Sequence, residues 1–409
     1  MMTSQVNAAA LEDERRPHLR RLVLLRTLTI LIGLIAGLSA AEIGLRIVER
    51  AQLGDRVTAA TVPDPQLGTR VVPYTTGHDA NGFRNASVPA QSDIVALGDS
   101  QTWGINVHTA DAWPQQLERL SGRKVYNMAV GGYGPIQYWI LTDQALSFSP
   151  KVIVVGLYFG NDLYDAYAMT YTHDSYVELR QTQAQEELKN DTIRGKSKYY
   201  WDEEKNFHNN YGRSSPAGWS SWLREHSAIG RLLNRIGWWP GATDLDYEID
   251  RAWARAYPDH GAVCEDAGIR TVFTSAYRLT ALDLDDPRVG EGLRITKEVL
   301  GKAHQKAEQR GVKFLVLLIP TKELVYADLM QRESKLTGTY ARLVGMEQRS
   351  RREVESWCNE TGIRCVDALP NLQSAIGNRQ PIYPSTTESH PNAGGYKILA
   401  AAVNEALKN

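Results

Sequence analysis

Five short apolar runs are spaced along the chain, separated by polar or amphipathic stretches. They are Ile94–Leu97, Val125–Ala129, Val152–Phe159, Lys313–Ile319 and Arg364–Ala368. Most are rich in β-branched residues and lack strict alternation, the pattern of strands buried on both faces. Helical periodicity fills the gaps. Ala112–Leu120 follows the first run and Tyr138–Ala145 the second. Ile295–Arg310 precedes the fourth, with Val299, Leu300, Ala303 and Ala307 on one face. Gly395–Leu407 closes the chain with a stripe of Ile398, Leu399 and Val403. Strands alternating with helices predict an α/β fold, a flavodoxin-like three-layer sandwich around a five-stranded parallel sheet.

Two regions break this rhythm. Near the N-terminus, Leu22–Leu45 is apolar, with Arg26 near its start and Glu42 near its end. Its charge-free core, Thr27–Ala41, is shorter than the ~20 residues of a spanning helix, and snorkelling of Arg26 and an interfacial Glu42 extend it. Arginines 15, 16, 20 and 21 precede it. The positive-inside rule then predicts a single-pass anchor over 22–45, with residues 1–21 cytoplasmic and the rest outside. A cleaved signal peptide ending near Leu38-Ser39-Ala40 is the competing expectation. Residues 46–92 read as a stalk and arm, and 93–409 as the main domain.

The second region, about 163–285, is polar and holds six of the ten tryptophans: 201, 219, 222, 238, 239 and 253. It reads as a helical insertion. Its aromatics are either a stacking surface for a flat ligand or the insertion's own core.

Composition changes little. The chain has 409 residues, 43% hydrophobic and 23% charged, and a formal net charge of −1. It therefore advertises no basic surface, and nucleic acid is not an expected partner. Of three cysteines, Cys358 and Cys365 are either a disulfide or two buried thiols, and Cys264 is left over as a core residue. No Cys/His spacing points to a metal.

Chemistry gathers at the ends of the strands. Gly98-Asp99-Ser100 ends the first. Asn127 to Gly134, with Gly131-Gly132, ends the second. Gly160-Asn161-Asp162 ends the third, and Glu388-Ser389-His390-Pro391-Asn392 precedes the last helix. In a parallel sheet these segments emerge on one edge, where ligands bind. Ser100 needs a base to become a nucleophile, and His390 is suited to that role. An oxyanion needs donors, which the Ser100 and Gly132 N–H groups and the Asn161 amide can supply. No Gly-x-Ser-x-Gly, Gly-x-Gly-x-x-Gly or Walker A pattern competes.

These four blocks, in this order, resemble the SGNH hydrolase superfamily, the GDSL-type esterases and lipases. The four name-giving residues fall on Ser100, Gly132, Asn161 and His390. Asp64–Arg84 is similar to the arm of membrane-anchored bacterial members. The resemblance implies a domain outside the bacterial cytoplasmic membrane that hydrolyses or transfers O-acyl groups. Its expected partners are the membrane, through residues 22–45, and an acylated polysaccharide or small ester. It implies no metal and no organic cofactor. The family's last block is Asp-x-x-His, whereas Thr387 stands three residues before His390 here. Either Glu388 orients the histidine, or a backbone carbonyl does, or the site is weak; Asp367 is a more distant acid. The last case leads to a second expectation, a non-catalytic glycan-binding component of an envelope polysaccharide machine. Lys322, just after the fourth strand, and Trp103 are candidates for substrate contact.

Overall fold

Residues 24–47, 59–181, 186–214, 227–235, 245–266 and 268–408 are described from a computed structural model of the chain. Arginines 15, 16, 20 and 21 and tryptophans 219, 222, 238 and 239 lie outside them. The chain divides into two compact units.

The larger unit, residues 54–215 and 243–409, contains the parallel sheet. In chain order its strands, with two hairpins, are β1 (Thr61–Asp64), β2 (Gly68–Val71), β3 (Ile94–Gly98), β4 (Val125–Asn127), β5 (Val152–Tyr158), β6 (Ala262–Asp266), β7 (Ile269–Phe273), β8 (Lys313–Ile319) and β9 (Arg364–Asp367). The sheet runs β4-β3-β5-β8-β9, all parallel. Ile94 lies opposite both Val125 and Val152, Val152 opposite Lys313, and Leu315 opposite Arg364. The expected flavodoxin-like order is thus present, with its topological switch between β3 and β5.

Successive side chains of a strand point to opposite faces, so each central strand feeds two cores. Ile94, Ala96, Val154, Leu315 and Leu317 pack on one side, with Leu117 of helix Trp113–Ser121 and Leu399 of helix Ala393–Ala406. Val95, Leu97, Val155, Val316 and Leu318 pack on the other. There they meet Leu141 of helix Pro135–Ser147 and Leu300 of helix Pro287–Glu308. Continuous apolar strands are the consequence of these two covered faces.

Two hairpins modify the expected picture. The arm carries β1 paired antiparallel with β2. The insertion, expected to be helical, contains β6 paired with β7 between its helices. Both pairs are short and lack a long apolar run, so hydropathy did not mark them. Arg84 of the arm is fully buried and donates to the carbonyls of Trp103 (3.1 Å), Val107 (2.7 Å) and Gly104. It thereby anchors the loop that follows Ser100. Among the insertion's aromatics, Trp253 is buried with Tyr247 and Val272 in a local core, whereas Trp201 is 56% exposed. Cys358 and Cys365 form a disulfide with Cα atoms 6.2 Å apart, and Cys264 is a buried free thiol.

The smaller unit comprises residues 1–53 and 216–242. Its helix Leu24–Ile47 has 24 residues and an 18-residue stretch of mean hydropathy 2.0, long and apolar enough to cross a membrane. Glu42, near its end, accepts hydrogen bonds from the N–H groups of Ala228 (2.8 Å) and Ile229 (3.1 Å) and the Ser227 hydroxyl (2.8 Å). It caps the helix Ala228–Arg235.

Candidate active site

Ser100 leaves the end of β3 through a turn that requires glycine. A Cβ on Gly98 would stand 2.1 Å from Thr102 Oγ1, so only glycine lets the short helix Ser100–Trp103 fold back onto the strand. Asp99 caps this helix by accepting from the Gln101 N–H at 2.9 Å. The serine is thus held at the sheet edge beside the topological switch.

His390 reaches Ser100 from the loop before the last helix. Its Nε2 lies 2.8 Å from Ser100 Oγ. Its Nδ1 pairs with Glu388 Oε1, which also accepts the His390 backbone N–H at 2.8 Å. The other Glu388 oxygen takes the Asn106 side-chain amide. Burial raises the carboxyl's pKa, but the His390 ring, its charge, its backbone N–H and Asn106 together outweigh burial and hold it down to about 2. An ionised carboxylate only accepts, so Nδ1 carries the proton and Nε2 offers its lone pair to the serine hydroxyl.

Of the acids considered from the sequence, Glu388 is the one in contact with His390. Asp367 instead pairs with Arg351. Thr387, in the position of the expected aspartate, is tied elsewhere: its N–H donates to Asp250 Oδ2 at 2.6 Å.

The candidate oxyanion donors come from three strand ends. Gly132 sits in a turn at φ +84°, a conformation that favours glycine, and its surface is open. Among the described residues no acceptor meets the backbone N–H of Gly132 or Ser100. Asn161 donates one amide hydrogen to Asp165 at 2.5 Å, which orients the group and leaves the second hydrogen. A cleft of about 210 Å³ lined by Gly132, Asp165 and Tyr164 opens alongside.

Two expected substrate contacts are corrected. Lys322 is 1% exposed. Its ammonium donates to the carbonyls of Thr386 (2.6 Å), Glu388 (3.1 Å) and Val272 (3.1 Å). It cannot meet an anionic substrate; it pins the loop that carries Glu388 and His390. A lysine after a strand reads as a surface residue, and only the packing of β7 and this loop over it buries it. Burial lowers its pKa to about 8 despite the nearby charges of Glu323 and Glu388. Trp103 is also buried, with its indole N–H directed to His78 Nε2 at 3.2 Å. Its ring lies under Gly131, where a Cβ would approach it to 3.0 Å. It supports the Gly131-Gly132 turn from beneath.

The sequence reading missed Asn106, Arg278 and Asp165. Arg278 donates to the Ser389 hydroxyl and lies over the Tyr158 ring at 5.7 Å. No motif marks these residues, because each is brought in from a segment outside the four blocks.

No family model matches the chain, and no curated protein matches it. Among solved structures it is similar to a member of the lipolytic protein G-D-S-L family from Veillonella parvula. The identity is 12% and the TM-score 0.34, over 77% of this chain and 98% of the other. It is also similar to an acetylxylan esterase from Geobacillus stearothermophilus, at 11% identity and TM-score 0.34, over 78% and 94%. A third is a GDSL-like lipase from Bacteroides thetaiotaomicron, at 11% identity and TM-score 0.31, over 77% and 87%.

Proposed function

We propose that this protein is a serine esterase of the SGNH type. The observation that carries the reading is the continuous Ser100–His390–Glu388 relay, with Nε2 2.8 Å from the serine oxygen and Nδ1 on an ionised carboxylate. Ser100 Oγ attacks the ester carbonyl while His390 Nε2 takes its proton. Glu388 stabilises the resulting imidazolium. The Gly132 and Ser100 N–H groups and the Asn161 amide receive the oxyanion. The C–O bond to the leaving alcohol breaks, and His390 returns the proton to it. Water, or an acceptor hydroxyl, then attacks the acyl-serine by the reverse route.

The helix Leu24–Ile47 serves as a single-pass anchor in the bacterial cytoplasmic membrane, with the catalytic domain outside. The substrate is an O-acyl ester, with an acylated extracytoplasmic polysaccharide as the natural class. The glycan-binding alternative drew on Thr387 and on the insertion's tryptophans. Glu388 supplies the acid whose absence motivated it, and of the two insertion tryptophans among the described residues Trp253 belongs to a buried core while Trp201 is exposed; the esterase reading is therefore the one the relay favours.

The full chain in detergent, assayed with an aryl acetate beside Ser100→Ala, tests the reading. Turnover in the parent and a loss of at least ~10³-fold in the variant are expected. Equal rates in both would overturn the assignment of Ser100.

A further inference from the structure

Arg278 lies beside the site and takes no part in the relay. Helix Ser275–Leu282, just after β7, carries it. Its Nη2 donates to the hydroxyl of Ser389, the residue before His390. Its guanidinium lies over two tyrosine rings, 5.7 Å from the centre of Tyr158 and 5.2 Å from that of Tyr277. Tyr158 ends β5, which leads into the Asn161 turn. Arg278 therefore stands between the histidine loop and the candidate oxyanion donors. Charges on both sides lie within its reach, Glu388 on one and Asp165 on the other.

The surroundings of this guanidinium are unusual. Arg278 is half-buried, and its Nε has no hydrogen-bond partner. Ser389 is its one hydrogen-bond acceptor among the described residues, and no carboxylate among them comes within ion-pair distance. The neighbouring acids are engaged elsewhere. Glu388 is held by His390 and Asn106, Glu323 by the Thr274 N–H at 3.2 Å, and Asp165 by the Asn161 amide. Withdrawing a cation from water without a paired anion is costly. Beside a reacting centre, a group short of partners is one that a ligand can complete. Helix Thr192–Ser214 adds Trp201, 56% exposed, with its ring 6.2 Å from that of Tyr277. The cation thus has an aromatic wall next to it.

We propose that Arg278 binds a carboxylate on the alcohol part of the ester, so that the substrate is an O-acylated acidic alcohol, a sugar acid within the polysaccharide class above. His390 returns its proton to the leaving alcohol. The alcohol therefore lies on the histidine side of Ser100, where Arg278 is fixed through Ser389. One guanidinium balances a single negative charge, which suits a carboxylate better than a phosphate monoester. Trp201 and Tyr277 offer apolar area to the ring that bears it. The alcohol assignment rests on the esterase reading; carboxylate binding itself does not.

Equilibrium binding to the full-length Ser100→Ala protein in detergent separates recognition from turnover. 3-Acetoxybenzoate should bind at least ~10-fold more tightly than 3-acetoxybenzamide. Arg278→Gln in the same background should remove the difference, and Arg278→Lys, which keeps the charge, should retain part of it. Equal affinity for the two esters, no saturable binding of the benzoate, or a preference that survives Arg278→Gln would overturn the role of Arg278. The first two results need no Arg278 variant, so the test stands if Arg278→Gln fails to fold. A larger preference for monophenyl succinate over phenyl succinamate would place the carboxylate on the acyl part and overturn the alcohol assignment. Turnover of phenyl acetate by the parent reports separately on Ser100. Its absence beside an Arg278-dependent binding difference would remove the esterase reading, and with it the alcohol assignment, and leave the carboxylate site standing.

Discussion

Carboxylates stand on both sides of Ser100 in opposite charge states. Glu388, on the histidine side, is held down to about 2. Asp99 and Asp165, on the side of the oxyanion donors, are each raised to about 7, and Asp162 is raised well above the ordinary range. Burial pushes all four upward and is the largest influence on each. What separates them is chiefly the supply of donors: opposing carboxylate charge adds to burial at Asp99 and Asp162, while at Asp165 burial outweighs the Asn161 amide and the favourable charge of Arg278. Glu388 receives two N–H groups from His390, whose charge also favours it, and the Asn106 amide. Asp99 receives the Gln101 N–H and a long contact from the Ser100 hydroxyl at 3.4 Å, and the charge of Asp165 opposes its ionisation. Acids this close cannot all ionise together. Burial alone therefore does not decide the state of an acid here.

The difference suits the proposed chemistry. Histidine becomes positive when it takes the serine proton, and an anion beside it stabilises that state. The carbonyl oxygen becomes negative on the other side, where a second anion would oppose it. Below about pH 7 protonated Asp99 and Asp165 leave the donor side free of negative charge.

Removing the ionised acid should have the largest effect on this contrast. Glu388→Gln keeps the shape and one acceptor but loses the charge. A fall in kcat of roughly 10³- to 10⁴-fold with little change in KM is expected from steady-state kinetics on an aryl acetate. A rate within threefold of the parent would show that a backbone group orients His390. On the other side, Asn161→Ala removes one proposed oxyanion donor. A loss of about 10²- to 10³-fold in kcat is expected. An unchanged kcat would take Asn161 out of the oxyanion site and leave it as the partner of Asp165.

The legible and illegible parts of this site differ for physical reasons. Strand ends were readable because a strand buried on both faces is apolar throughout, so β8 matched its expected limits, Lys313–Ile319. The candidates Ser100, Gly132 and Asn161 were readable because glycine turns and polar groups interrupt such runs, and the candidate His390 because its block before the last helix resembles the family's last one. The doubt over Thr387 was also readable, and Glu388 resolves it by reaching the ring from two residues away rather than three. Asn106 was not readable, since its contact with Glu388 exists only after the β3 loop and the C-terminal loop meet. Lys322 misled for a similar reason: its type predicts a surface, while four carbonyls around its ammonium make a buried position tolerable. The protonation of Asp99 follows from packing and was likewise invisible in Gly-Asp-Ser.

The smallest expected effect on rate, and the sharpest test of the contrast, comes from Asp99→Asn. Asparagine resembles a protonated aspartate and retains the oxygen that accepts from the Gln101 N–H. If Asp99 is neutral in the working protein, turnover at pH 6 should stay within a few-fold of the parent, unlike Glu388→Gln. Stability should change with a defined sign. In the unfolded chain Asp99 ionises near 3.8, whereas in the folded protein it stays protonated up to about 7. Between these values the folded state binds the extra proton, so stability falls as pH rises, by up to about 1.4 kcal/mol per pH unit for this group. Above about 7 its contribution levels off at its least favourable value. Asp99→Asn removes this component. Thermal midpoints of parent and variant should lie close together near pH 4.5 and diverge toward pH 8, with the variant higher. Parallel curves over that range would mean that Asp99 is already ionised beside Ser100. The donor side of the site would then carry the same charge as the histidine side.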